Sequence, residues 1–212
     1  GSSTSINLFK LIKSILQSNK SIKNISTDNL NFPSDKYICE LIAKDFNIDF
    51  NFLDYGSDLM ADIEQLKEFI KEKRGIIVLS HVAFKSSYRY PIKEISKFCK
   101  DNNTIVIWDL SHSIGAVDIN MGLNQVDYAI GCTYKYLNGG PGSPAFIYVR
   151  EQELRKLKSP IRGWFSHEKP FEYSNEYNES NSIEKFSNGT PHILSLSTLK
   201  LSLIHISEPT RP

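Results

Sequence analysis

Cysteine, long apolar runs and any surplus of one sign of charge are what this 212-residue chain has little of. Its three cysteines, Cys39, Cys99 and Cys132, make no C-x-x-C pair and leave an odd one over. That excludes a disulfide framework and a zinc site, and points to reduced, mostly buried thiols. The apolar runs, such as IIVL at 76–79, stop far short of the ~20 residues a membrane helix needs. The first residues lack the basic and apolar segments of a signal peptide. Twenty-five basic residues against 24 acidic ones leave a net charge of +1, with no basic block to track a phosphate backbone and no acidic tail. Nucleic-acid and membrane partners are thereby disfavoured, and a soluble cytoplasmic protein fits. Repeats and low-complexity segments are missing as well.

What is present is enough chain for one large α/β domain. Several N-cap oxygens in Ser2, Ser3, Thr4 and Ser5 precede Leu8, Leu11, Ile12, Ile15 and Leu16 at helical spacing, so a helix begins almost at residue 5. Ser34 and Asp35 are suited to cap a second helix through about Phe46. Leu59, Ile63, Leu66 and Ile70 mark a third, stopping at Gly75. The run 76–79 reads as a strand, Pro91 at a helical first position opens a helix with Ile92, Ile95, Phe98 and Cys99, and IVIW at 105–108 is the next strand. With the runs 126–132 and 145–149 added, the expectation is a mostly parallel sheet covered by helices on both faces. The segment 173–182 is polar and reads as a surface loop. A last helix starts over 195–203, and 204–212 continues no pattern and looks appended.

In open α/β sheets, ligands sit beyond the carboxyl ends of the strands. Three predicted strands end there in reactive side chains: Ser80-His81, Asp109 with His112, and Tyr134-Lys135 ahead of the loop NGGPG at 138–142. An acid and a lysine at neighbouring strand ends form the minimum set for pyridoxal phosphate. The lysine takes the aldehyde as a Schiff base, and the carboxylate keeps the pyridine nitrogen protonated. A salt bridge at the sheet edge fits the same spacing.

The string WDLSHSIGA followed by GCTYKYLNGGPGSPAFIYV resembles kynureninase, of the aspartate-aminotransferase-like superfamily. STSINLF at 3–9, FPSD at 32–35, RGWFSH at 162–167 and GTPHILSL at 189–196 resemble it too, in family order. The resemblance implies a large cofactor-binding domain over 1–203, incomplete at its N-terminus and with the C-terminal small domain absent, and the patternless 204–212 is expected to be a non-native tail. It implies that Lys135 is the Schiff-base lysine, nucleophile and proton carrier, Asp109 the pyridinium partner, and His112 the residue near the ring and its 3-hydroxyl. Tyr134 matches a tyrosine that reaches the phosphate and assists proton transfer. Phe32 matches the aromatic that stacks on the ring, within a cofactor-binding run that also takes in Pro33, Ser34 and Asp35. Thr4 and Ser5 fall where the family holds the phosphate, and Ser80 matches a residue lining the cofactor. Trp164 and Thr190 match phosphate contacts that in this superfamily can come from a partner subunit, which implies a homodimer.

The implied activity is hydrolysis of L-kynurenine or 3-hydroxykynurenine to anthranilate, or its 3-hydroxy form, and L-alanine, in tryptophan catabolism and NAD synthesis. In the family an arginine of the small domain grips the substrate carboxylate, so the 212 residues alone are expected to be inactive. The rival readings are another enzyme of the superfamily, such as a cysteine desulfurase or aminotransferase, and an inert fragment. A serine hydrolase on Ser80, Asp109 and His112 lacks the G-x-S-x-G elbow.

Overall fold

The computed structural model describes residues 1–57 and 59–207. Six strands form one sheet: β1 (Asn24–Asp28), β2 (Asp49–Leu53), β3 (Ile76–Ser80), β4 (Ile105–Asp109), β5 (Tyr128–Cys132) and β6 (Ala145–Val149). Their order is β2-β1-β3-β4-β5-β6. All neighbours are parallel except β6, which runs antiparallel to β5. The helices are α1 (Thr4–Ser18), α2 (Pro33–Phe46), α3 (Ile63–Glu72), α4 (Ile92–Asp101), the short α5 (Glu151–Leu154) and α6 (Ile193–Ser207).

Strand side chains alternate between two apolar layers, as the two-residue period of a pleated strand requires. Ile76, Val78, Ile107 and Ile130 join Leu8, Leu11, Ile15 and Ile42 from α1 and α2 on one face. Ile77, Leu79, Trp108 and Ala129 join Leu66, Ile70, Ile95 and Cys99 from α3 and α4 on the other. Trp108 is fully buried, and its indole N–H donates to Ser96 Oγ of α4 at 2.9 Å, so the largest core side chain is also a polar pin between layers. Each such fully buried apolar side chain contributes about 1.5–3 kcal/mol.

The chain leaves β1 into α2 on the first face and leaves β3 into α4 on the second. The two loops part, and a crevice opens beyond the carboxyl ends of β1, β3 and β4.

Several local expectations shift. The first helix starts at Thr4, with Ser3 as its cap, accepting from the Ile6 N–H at 3.3 Å. The second starts at Pro33, whose missing N–H needs no cap, so neither Ser34 nor Asp35 serves as one. The third starts at Ile63 rather than near Leu59, because the Asp62 carboxylate accepts from the N–H groups of Glu64 and Gln65, both at 3.0 Å. Pro91 stands just before α4 as its N-cap, its carbonyl accepting from the Ile95 N–H at 3.0 Å. The run 126–132 is a strand only from Tyr128. Strands β1 and β2 were not expected from the sequence. The last helix runs through Ser207, into the segment read as a tail, and residues 208–212 lie outside those described.

Candidate active site

The crevice holds a cavity of about 290 Å³. Its walls come from the start of α1 (Thr4, Ser5), the start of α2 (Phe32, Ser34, Asp35), the end of β4 (Asp109) and the turn after β5 (Tyr134, Lys135). Parallel register explains the meeting: Ser80 of β3 pairs with Asp109 of β4, and β5 follows next in the sheet, so three strand ends share one edge.

The lysine reaches across that edge. Lys135 Nζ lies 2.9 Å from His112 Nε2 and 5.6 Å from the centroids of both the Phe32 and Tyr134 rings. Phe32 meets Phe84 edge to face at 5.2 Å, which helps fix its ring in the cavity wall. Beyond β5, Thr133 bonds to Ser143 Oγ and the Pro144 carbonyl, both at 2.5 Å, and so closes the loop 138–142 against the site. Gly142 lines the cavity with a φ of 77°, a conformation that a side chain would strain.

Two carboxyls are buried side by side. Asp35 is 1% exposed and Asp109 is 4% exposed. Burial pushes the pKa of each up, and for Asp35 the neighbouring Asp109 adds to the rise while the Lys135 cation opposes it. Asp109 is held in place by the Ser111 N–H, which donates to its Oδ1 at 2.8 Å. His112 is pushed the other way, towards neutrality, by burial first and then by Lys135, with Asp109 opposing. Facing an ammonium group, a neutral His112 would accept at Nε2 and carry its own proton on Nδ1. That nitrogen is buried and has no hydrogen-bond partner among the described residues, and the same holds for Asp35 Oδ2.

Not every residue singled out from the sequence is here. Ser80 is 2% exposed and donates its hydroxyl to Asn31 Oδ1 rather than lining the cavity. Pro33 opens α2 without lining it. Trp164 stands elsewhere, in an aromatic group with Phe165, Phe171 and Tyr173, and is 40% exposed. Thr190 is exposed in the stretch before α6. Of the other histidines, His81 is buried against Trp108 and His167 bonds to the Glu176 carbonyl, both away from the lysine. Two residues that the sequence did not single out, Asp28 and Asn31, organise the loop carrying Phe32. Their one legible signal is position: both fall just before FPSD.

A family model for Aminotransferase class-V matches residues 1–210. A kynureninase of Pseudomonas fluorescens is 38% identical over 204 residues, 94% of this chain and 48% of the relative. A kynureninase of Burkholderia pseudomallei is 34% identical over 203 residues, with the same coverage of 94% and 48%. The chain thus spans about half the length of the curated relatives it matches. Among solved structures, a cysteine desulfurase from Thermococcus onnurineus superposes with a TM-score of 0.82 at 21% identity, covering 97% of this chain and 50% of that one. A cystine C-S lyase in complex with cysteine persulfide also gives 0.82, at 18% identity, covering 99% of this chain and 55% of that one. At such identities these two establish the fold.

Proposed function

This chain belongs to the class-V aminotransferase family, and from that premise we propose that its cavity binds pyridoxal phosphate in a kynureninase, a hydrolase releasing anthranilate and L-alanine from L-kynurenine. One observation carries the reading: Asp109 and Lys135 line the same cavity, with an aromatic ring beside the lysine. A surface salt bridge needs no such enclosure.

The donor set fits the cofactor. Lys135 would carry the aldehyde, and Asp109 would face the ring nitrogen. Phe32 would cover the ring, and His112, at the lysine amine, would stand near the ring hydroxyl. Thr4 and Ser5 stand in the first turn of α1, where backbone N–H groups have no intrahelical acceptor and favour an anion such as a phosphate. Tyr134, at the cavity rim, would reach the same phosphate. When bound, the cofactor supplies an electron sink for charge developing at the substrate α-carbon. Lys135 Nζ takes up and returns the α-proton, with His112 Nε2 holding it on line at 2.9 Å. Asp109, kept from water, gives a fixed negative partner to a cationic ring nitrogen, where a hydrated carboxylate would do so weakly.

Among the described residues lining this cavity, Lys135 is the sole Lys or Arg, and its amine is already committed. The grip on the substrate carboxylate therefore comes from outside these walls, which supports the reading that the 212 residues alone turn over little. Trp164 and Thr190, exposed and away from the cavity, serve a neighbouring subunit's phosphate in this reading, making the working unit a cytoplasmic homodimer.

The test is anthranilate fluorescence on adding L-kynurenine to a chain extended to the relatives' length, with L-cysteine in parallel. Kynurenine turnover supports the proposal. Sulfur release from cysteine without anthranilate would replace it with the desulfurase reading. Borohydride reduction with pyridoxal phosphate should leave a pyridoxyl adduct on Lys135 even in the 212-residue chain, and its absence would favour the inert fragment.

A further inference from the structure

Asn31 sits one residue before Phe32, is 5% exposed, and has both polar atoms of its side chain hydrogen-bonded. Its Nδ2 donates to Thr27 Oγ1 at 3.0 Å and to the Val78 carbonyl at 3.2 Å. Its Oδ1 accepts from the Phe32 N–H at 2.9 Å and from the Ser80 hydroxyl. Its own N–H donates to Asp28 Oδ1 at 3.0 Å.

The location gives these bonds meaning. The ladder between β1 and β3 ends at the pair Thr27 and Val78, where the two strands part. At that last rung the Val78 carbonyl accepts from the Thr27 hydroxyl at 2.8 Å and from the Asn31 amide, whose oxygen in turn accepts from the Ser80 hydroxyl two residues further along β3, so the amide bridges the strands where they part. It thereby ties three things together: the loop holding Phe32, the β3 end holding Ser80, and through β3 the paired β4 end holding Asp109. A buried network with every member satisfied is rigid, whereas one broken member leaves the others paying desolvation.

We propose that Asn31 is a positioning residue of this site: its amide staples the open switch point of the sheet and so sets the height of the Phe32 ring, and of the α2 start with Asp35, relative to Asp109 and Lys135. The proposal deepens the pyridoxal phosphate reading and rests on it. Ser80 enters the same device as the hydroxyl that orients the Asn31 amide, with Oδ1 as acceptor.

The experiment compares wild type with Asn31→Ala, Asn31→Ser and Thr27→Val. The last removes bonds from the same staple, including the Thr27 hydroxyl to the Val78 carbonyl at 2.8 Å, without touching Phe32. Three quantities are read: affinity for added pyridoxal phosphate, the circular dichroism that the bound ring acquires from its asymmetric surroundings, and amide exchange at Phe32 in cofactor-free protein. Asn31→Ala is expected to weaken affinity by about tenfold or more, shrink the induced dichroism and unprotect the Phe32 N–H, because a loosened first shell loses preorganisation. Asn31→Ser should fall between it and wild type, and Thr27→Val should stay within about twofold in affinity. Asn31→Ala matching Thr27→Val in affinity and dichroism would overturn the proposal. So would failure of both Asn31 variants to fold, since Asn31 would then hold the domain rather than the ring. If wild type itself forms no adduct on Lys135, the cofactor reading falls first and takes this proposal with it.

Discussion

The two ends of the sheet differ in a way that volume does not capture. At the amino ends of β1, β3, β4 and β5 lies a cavity of about 630 Å³, lined by Lys23, Arg74, Lys100, Asp127 and Glu153 among others. The cavity at the carboxyl ends is less than half that size, at about 290 Å³. Yet the acids of the larger one are matched with partners: Glu153 bonds to Lys156 at 2.7 Å and to the Tyr128 hydroxyl at 3.0 Å, and Asp127 pairs with Arg150. The smaller one presses two carboxyls with almost no exposure against each other beside a lysine and a neutral histidine. Ionisable groups stripped of water and mismatched to their neighbours make a site, and space alone does not.

The sharpest way to break this comparison is to substitute a lysine at each end. Lys135→Ala should abolish the borohydride adduct and lower anthranilate release from the extended chain by about 10³-fold or more, whereas Lys100→Ala should leave both within about twofold. Equal losses at the two ends would erase the distinction. Next in size is the acid pair. Asp109→Asn should reduce kcat by about 10²–10³-fold with the fold intact by circular dichroism, and Glu153→Gln should change it little.

A purely structural change separates packing from chemistry. Leu11→Ala, in α1 against the sheet and fully buried, should cost about 2–5 kcal/mol in urea unfolding. It should also weaken cofactor binding less than Lys135→Ala does.

The smallest expected effect is visible only by titration. Asp28 is held up, mainly by burial, from 3.8 to about 6, so the folded state binds more protons than the unfolded one between those values and stability falls as pH rises from about 4 to about 6. His81 is pushed down, mainly by burial and then by Arg89, from 6.5 to about 4, so the folded state binds fewer protons and stability rises over nearly the same window. Each shift is worth about 3 kcal/mol, and the two contributions oppose each other between pH 4 and 6. Relative to the wild-type profile, His81→Gln should lose about 3 kcal/mol more as pH rises, and Asp28→Asn should gain a similar amount, by denaturation at pH 4, 5 and 6. Parallel profiles in all three proteins would show that neither group titrates as its burial demands.

Much of this was legible along the chain. The β3, β4 and β5 runs announce themselves as unbroken apolar stretches, and Asp109, His112 and Lys135 follow them at once. β1 escaped because it reads Asn24-Ile25-Ser26-Thr27-Asp28, with four polar side chains that are nonetheless buried by pairing on both sides. β2 escaped as a half-exposed edge strand. Asn31 escaped with them, since an asparagine before a proline-led helix reads as an ordinary turn residue. An apolar run carries no arrow, so the antiparallel course of β6 was equally invisible.

By itself, the sequence determined the elements that apolar periodicity and caps dictate, and the residue types available for chemistry. The tertiary structure alone decided that Asp35 would crowd Asp109, that Ser80 would turn to Asn31 instead of the cavity, and that Trp164 would stand apart. Those outcomes depend on hydrogen bonds and charge interactions that act over a few ångströms and are amplified where water is excluded. Distances of that kind are set by which strands lie side by side, between residues tens of positions apart in the chain.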